Sequence, residues 1–421
     1  MSVRKRVWAT ETGQHREAWV VDYVDQQGGR RLKTFKRKGD ADSFAATTTV
    51  QISEGVHVPE STSLTIKDAA ENWITRCKSR LQDGTLDQYR QHVDLHIVPF
   101  IGRVKLSKVT VPFVCIFEDT LREEGRSPAM VRAVRVSLGA LLSDAQKRGH
   151  IVRNPVRESR GNSDARRKKK RKLKVGVDIP TPYEVRSLLA TATGSFRILL
   201  LTAVFTGLRA SELRGLQWID VDLTRKELHV VRRADKHNQM GVPKSEASER
   251  TLPLTPGLVQ ALREWKLQCP KKEGRLWLVF PNGKGNVEAH RNILERQLKP
   301  AMKKASIVTP ELDEQGNPKL DKDGKPIMAA KYSGLHCLRH FFASWCINRK
   351  VDGGLELPAK VVQERLGHAS IAMTLDVYGH LFPSGDDHAA ELAAGEKLLL
   401  GLSLVDRIVN PPEVNVIPLG G

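Results

Sequence analysis

The residues best suited to chemistry lie in the second half of the chain. Arg209 stands in T-G-L-R-A-S-E-L at the expected start of a helix, and Lys244 lies in V-P-K-S-E-A-S-E-R-T-L-P-L between expected strands, with Lys236 nearby. His336 and Arg339 are three apart in H-C-L-R-H, which puts both on one helix face. His368 ends an L-G-H turn, and Tyr378 follows ten positions on in M-T-L-D-V-Y-G-H. Singly, each has a structural explanation: Arg209 with Glu212 could be an i,i+3 ion pair, and Tyr378 an amphipathic residue with a bonded hydroxyl. Together they form one chemical set. Displacement at a phosphodiester builds negative charge on the non-bridging oxygens, which two guanidinium forks stabilise well. It also needs a nucleophile, and a phenol needs help in losing its proton. The departing deoxyribose oxygen needs a proton, which a lysine or histidine can give.

Rival chemistries fit less well. His336 and His340 are four apart, but the intervening residues lack the Glu of an H-E-x-x-H zinc site. Asp321-Lys-Asp323-Gly324 resembles part of a calcium loop without its third acidic ligand or closing Glu, so polar turns are expected there. No glycine-rich loop ending in G-K-S/T is present, and neither metal nor cofactor is expected.

Several elements must position these groups. The first 58 residues read as a small sheet, with strands over 18–24 and 30–35 turning at Gly28-Gly29, followed by a helix from about Asp40 to Ser53. Residues 64–158 read as a four-helix unit. Thr65 and Asp68 cap its first helix, Pro99 and Gly102 end the second, and the others run from about Val111 to Glu124 and from Pro128 to Arg148. Residues 159–177 read as a basic linker, in which Arg166, Arg167, Lys168, Lys169, Lys170, Arg171 and Lys172 are candidates to lie across phosphates. Residues 178–385 open with the capped start Thr181-Pro182-Tyr183-Glu184 and read as mainly helical, with strand-like pieces at 227–232, 250–254 and 276–280. A polar insertion spans about 309–331, and residues 386–421 read as a helix and loose tail; no internal repeat of useful length is apparent. The fold class expected is therefore multidomain: a small α+β sheet domain, an all-α domain, and a mixed, mainly-α domain with a small antiparallel sheet.

Charge narrows the partners. A formal net charge of +20 over 421 residues points to a polyanion, with nucleic acid ahead of an anionic membrane surface. The most apolar run, Ile198 to Phe205, is far shorter than the ~20 residues that span a bilayer. Five scattered cysteines without a C-x-x-C pair indicate neither a disulfide framework nor a zinc ribbon, so a reducing cytosol is expected.

The ordered set T-G-L-R-A-S-E-L, a hairpin lysine, H-C-L-R-H, L-G-H and V-Y-G-H resembles the active site of the tyrosine recombinases, the phage integrase family. H-I-V-P-F-I-G-R-V-K-L and A-Q-K-R-G-H-I-V-R-N-P resemble that family's helical core-binding domain, and the N-terminal sheet is similar in pattern to an arm-type DNA-binding domain. The resemblance implies that Arg209 and Arg339 hold the scissile phosphate, Lys244 acts as general acid, and His336 assists proton transfer. It further implies that His368 braces the phosphate, Glu212 orients the site, and Tyr378 attacks to leave a 3′-phosphotyrosine. It implies double-stranded DNA with attachment sites as substrate, a homotetramer passing through a Holliday junction, and a host DNA-bending protein and excisionase as accessory partners. The segment after His388 would dock on a neighbouring subunit. Alternatives are a Xer-like chromosome or plasmid resolvase, a type IB topoisomerase, and a non-catalytic DNA-binding factor on the same scaffold.

Overall fold

The computed structural model describes all residues except 10–14, 26–27, 56, 58, 60–62, 160–171, 244, 272–275, 314–315, 383–395, 397–398 and 400–421. The chain divides into two compact units, Met1–Lys170 and Arg171–Gly421.

In the first unit, three antiparallel strands, Ser2–Ala9, His15–Val24 and Arg30–Phe35, lie in sequence order. The first was not foreseen, because basic residues fill the pattern R-K-R and only Val3, Val7 and Trp8 interrupt it. The hairpin between the second and third is shaped by Asp25, whose carboxylate accepts the Gly29 N–H at 2.8 Å and pairs with Arg31. Helix Lys38–Ser53 covers one sheet face around Val21, Tyr23 and Ala41. Because Val3 and Lys33 sit opposite Val21, strand alternation turns Arg4, Arg6, Trp8, Arg16, Arg30 and Leu32 to the other face.

The helical part of the same unit begins with the predicted capping box. Thr65 Oγ1 accepts the Asp68 N–H, and the Asp68 side chain accepts the Thr65 N–H. Ile66, Ala70, Trp73 and Cys77 form the buried stripe of helix Ile66–Cys77. Helix Asp83–His92 runs through a π-helical turn, Val93–Ile97, into Val98–Ile101. Pro99 has no N–H for the carbonyl four residues back, so the ladder widens there. Helices Val111–Glu123 and Pro128–Lys147, capped by Thr110 and Ser127, complete the core.

The second unit is already folded at the end of the expected linker. Leu173 packs beside Phe342 and Tyr378, and its carbonyl accepts from His380 Nε2 at 2.7 Å. The capping box at Thr181 and Glu184 is present, and Glu184 also receives Lys331 Nζ at 2.6 Å and the Tyr332 hydroxyl at 2.8 Å. The apolar helix Gly194–Thr206 contributes Leu199, Leu200, Ala203 and Val204 to the main core, with Leu228, Leu252, Leu258, Leu262 and Leu338. The antiparallel sheet pairs Val221–Asp222 with Glu227–Val230, and the latter with Arg250–Pro253. Residues 276–280, expected as a strand, make only the isolated bridge Gln217↔Leu278, and Trp265 Nε1 takes the Val279 carbonyl instead.

The insertion is a surface hairpin closed by Val308–Pro310 and Met328–Ala330. It contains an unforeseen eight-residue repeat, L-D-E-Q-G-N-P-K followed by L-D-K-D-G-K-P-I. Asp313 and Asp321 each accept a side-chain bond from the backbone four residues on, with Gly316 and Gly324 at positive φ. The second matches the polar turn expected over residues 321–324.

Gly207 ends helix Gly194–Thr206 in the left-handed region, at φ +62°, and a Cβ there would meet Phe342 Cδ1 at 2.2 Å. Gly207→Ala combines about 1–3 kcal/mol of backbone strain with a similar overpacking cost. Denaturant unfolding of this unit should therefore show a loss of at least about 2 kcal/mol; an unchanged midpoint would refute the packing described.

Candidate active site

Arg209 caps the N-terminus of the short helix Ala210–Gly215. Its backbone N–H donates to Glu212 Oε2 at 2.9 Å and its Nη1 to Glu212 Oε1 at 2.8 Å, so the i,i+3 pair read from sequence is real. That pair also aims the guanidinium: Nη2 donates to the Gly367 carbonyl at 2.9 Å, across 158 residues of chain. The Glu212 side chain is 3% exposed and holds a second cation, Arg250, with Nη2 to Oε2 at 2.9 Å. Arg250 is fixed in turn by the Arg365 and Ser248 carbonyls, both at 2.8 Å. Sequence reasoning missed Arg250, although a signal existed. It shares a strand face with buried Leu252, and an inward cation requires a buried acid.

Arg339 is buried on helix His336–Ile347. Its Nη1 donates to the Gly207 carbonyl at 2.7 Å and its Nη2 to the Leu366 carbonyl. Both acceptors lie at helix C-termini, where carbonyls lack partners within the helix. Burial, with Arg209 nearby, pushes the Arg339 guanidinium down to about 9, so it stays charged at neutral pH. Arg209, Arg250 and Arg339 against the one carboxylate of Glu212 leave the cluster strongly cationic.

His368 follows Gly367, which ends helix Ala359–Leu366 at φ +61°. Its Nδ1 is 2.9 Å from Thr374 Oγ1, and its backbone N–H and carbonyl are both engaged by Gln363. Tyr378 is the last residue of helix Ile371–Tyr378 and is only 2% exposed, packed among Phe342, Val362 and Leu366. The His368 and Tyr378 rings lie parallel, with centroids 6.4 Å apart. The Tyr378 hydroxyl bonds not to His336 but to His340 Nδ1, at 2.7 Å, and the His336 and His340 rings are 4.5 Å apart. Burial pushes the Tyr378 phenol up to about 12, against the pull of Arg339 and Arg209. Burial and the arginines push His368 down to about 4 and lower His336, so both imidazoles are neutral at pH 7.

Six of the residues read from sequence thus converge: Arg209, Glu212, His336, Arg339, His368 and Tyr378. Lys244 lies outside the described residues, but its neighbours Pro243 and Ser245 line a cavity of about 320 Å³ with Arg209, Arg233 and Gly367. Arg166 to Arg171 also lie outside the described residues, and Lys172 is exposed. His340 was weighed in the sequence only as a metal ligand, although its i+4 spacing from His336 already set it on the same face.

A phenol and neutral imidazoles grouped beside three guanidiniums make a centre suited to phosphodiester transfer. Residues 180–384 match the phage integrase family, and residues 65–115 match the N-terminal SAM-like domain of phage integrases. These stretches span more than half the sequence, and the chain belongs to the phage integrase family of tyrosine recombinases. A XerC-like tyrosine recombinase of Caldanaerobacter subterraneus subsp. tengcongensis is 24% identical, over 87% of this chain and 92% of the relative. The ICEBs1 integrase of Bacillus subtilis is 23% identical, over 79% and 83%. The Tn1549 transposon integrase, solved in complex with transposon right end DNA, shares the fold. Its TM-score is 0.60 at 19% identity, covering 80% of this chain and all of that one.

Burial alone would raise the Glu212 carboxyl, but Arg250 and Arg209 hold it below its ordinary value. A depressed carboxylate contributes stability that is present above the unfolded value, about 4.3, and is lost as pH falls through the folded one. Glu212→Gln leaves two cations without their counter-charge and should cost about 3–5 kcal/mol at pH 7. The deficit should shrink on acidification below pH ~4. Urea unfolding across pH checks this, and a deficit independent of pH would contradict it.

Proposed function

We propose that this chain is a mobile-element integrase that cuts and rejoins duplex DNA at specific sites through a covalent 3′-phosphotyrosine at Tyr378. One observation carries the reading: the Arg209 and Arg339 forks are held by backbone carbonyls beside a buried phenol, where among the described residues three guanidiniums share the carboxylate of Glu212. A phosphodiester supplies negative charge, and the pentacoordinate transition state supplies more of it. Arg209 and Arg339 bind the non-bridging oxygens, Glu212 orients Arg209, and His368 braces the phosphate. Lys244 protonates the leaving 5′-oxygen with assistance from His336. The phosphotyrosine conserves the bond energy, so the 5′-hydroxyl of a partner strand can reverse the step without ATP or a cofactor.

The rest of the chain serves DNA placement in this reading. Residues 64–158 serve as the core-binding domain, and Arg166 to Lys172 lie across phosphates. The open sheet face bearing Arg4, Arg6, Arg16 and Arg30 supports an arm-type contact with a second DNA site. A homotetramer on two duplexes, a Holliday junction, a host DNA-bending protein and an excisionase complete the proposal, with the bacterial cytosol as the compartment. A resolvase of replicon dimers is the second reading, favoured by the name and coverage of the XerC-like relative. It predicts recombination between identical sites on one replicon.

Covalent trapping tests the nucleophile. Supercoiled DNA carrying the sequence that flanks the chain's own gene is mixed with wild type or Tyr378→Phe, then denatured. Wild type alone should yield a protein–DNA adduct, mapping to the peptide that holds Tyr378. Tight DNA binding without any adduct would leave a non-catalytic DNA-binding factor as the better reading.

A further inference from the structure

We propose that His340 is a catalytic residue: it accepts the Tyr378 proton as the phenol attacks phosphorus, through the Nδ1 that lies 2.7 Å from the hydroxyl oxygen. This rests on the recombinase reading above and adds an assignment to it. A buried phenol must donate its O–H, and among the described residues the acceptor in contact is His340 Nδ1. With the phenol as donor, the imidazole is the Nε2–H tautomer and its Nδ1 lone pair faces the hydroxyl. The competing imidazoles are placed differently. His368 Nδ1 is occupied by Thr374, and His336 touches His340 rather than Tyr378. Phe342, Val362 and Leu366 pack around Tyr378, so bulk water is a poor substitute acceptor.

Burial, with His336 and Arg339, pushes His340 down to about 4, so at pH 7 it is neutral and able to accept. Against a phenol near 12, no standing phenolate forms, and the proton moves as the P–O bond is made. The balance closes within the site. The Tyr378 oxygen forms a bond to phosphorus, its proton passes to Nδ1, and the P–O5′ bond breaks with a proton supplied to the 5′-oxygen by the general acid. In the reverse step the imidazolium returns its proton to the departing phenolic oxygen.

The test is single-turnover adduct formation on a nicked duplex from the DNA flanking the chain's own gene, carrying either the natural 5′-oxygen or a 5′-bridging sulfur. His340→Asn keeps an acceptor near the Nδ1 position but is no base, and should slow adduct formation at least about 100-fold with unchanged DNA affinity. A thiolate leaves without a proton, so the sulfur substrate should rescue Lys244→Ala but not His340→Asn. If His340→Asn does not fold, His340→Gln replaces it. Ring-nitrogen NMR of the wild type should in any case show His340 as the Nε2–H tautomer. Wild-type cleavage by His340→Asn or His340→Gln, rescue of either by sulfur, or an Nδ1–H tautomer would overturn the assignment and leave the recombinase reading intact. An adduct formed by Tyr378→Phe, or none by wild type on DNA it binds, would overturn both.

Discussion

The second unit depends on one kind of interaction, the donation of arginine N–H groups to carbonyls left over at helix ends. Helices Gly194–Thr206 and Ala359–Leu366 both stop at a left-handed glycine. Each stop leaves acceptors that the helix itself cannot satisfy. Arg339 takes one carbonyl from each terminus, and Arg209 takes the Gly367 carbonyl. The same bonds tie two helices and the Ala210–Gly215 turn into one frame and orient both forks. A buried guanidinium is costly unless its donors are matched, and the helix ends supply the match with dipoles rather than with full negative charges. The cations are therefore solvated by the fold without being neutralised.

Glu212 is the exception, and its position explains why one acid suffices. It joins Arg209 to Arg250, while Arg250 braces the helical turn ending at Ser248 against the end of helix Ala359–Leu366. The remaining positive potential acts on every neighbouring titratable group. Burial first, and then that potential, keeps the imidazoles neutral; on the phenol the two oppose each other, and burial draws it upward more strongly. At rest the site therefore holds a protonated phenol among neutral imidazoles.

Much of this was legible in the residues. The capping boxes at Thr65–Asp68 and Thr181–Glu184, the long apolar stripe of Pro128–Lys147 and the helical pairing of His336 with Arg339 are local, and local rules located them. The strand Ser2–Ala9 escaped because its exposed face is basic rather than alternating cleanly. Residues 276–280 misled because an apolar run of that length suits a strand or a buried irregular segment equally well. The repeat in the insertion was visible as spelling, but its meaning, an aspartate in each copy accepting the N–H four residues on, rests on hydrogen bonds.

The amino-acid sequence by itself determined the chemistry available: two arginines, histidines and a tyrosine in a set order, on elements whose caps and stripes are short-range features. Only the tertiary structure decided which groups meet. That Arg250 shares Glu212 with Arg209, and that Tyr378 bonds to His340 rather than His336, depends on contacts spanning 38 residues of chain each. Such choices turn on which side chain reaches a buried partner at hydrogen-bond distance. Packing around glycine stops at 207 and 367 sets that distance, and periodicity along the chain carries no record of it.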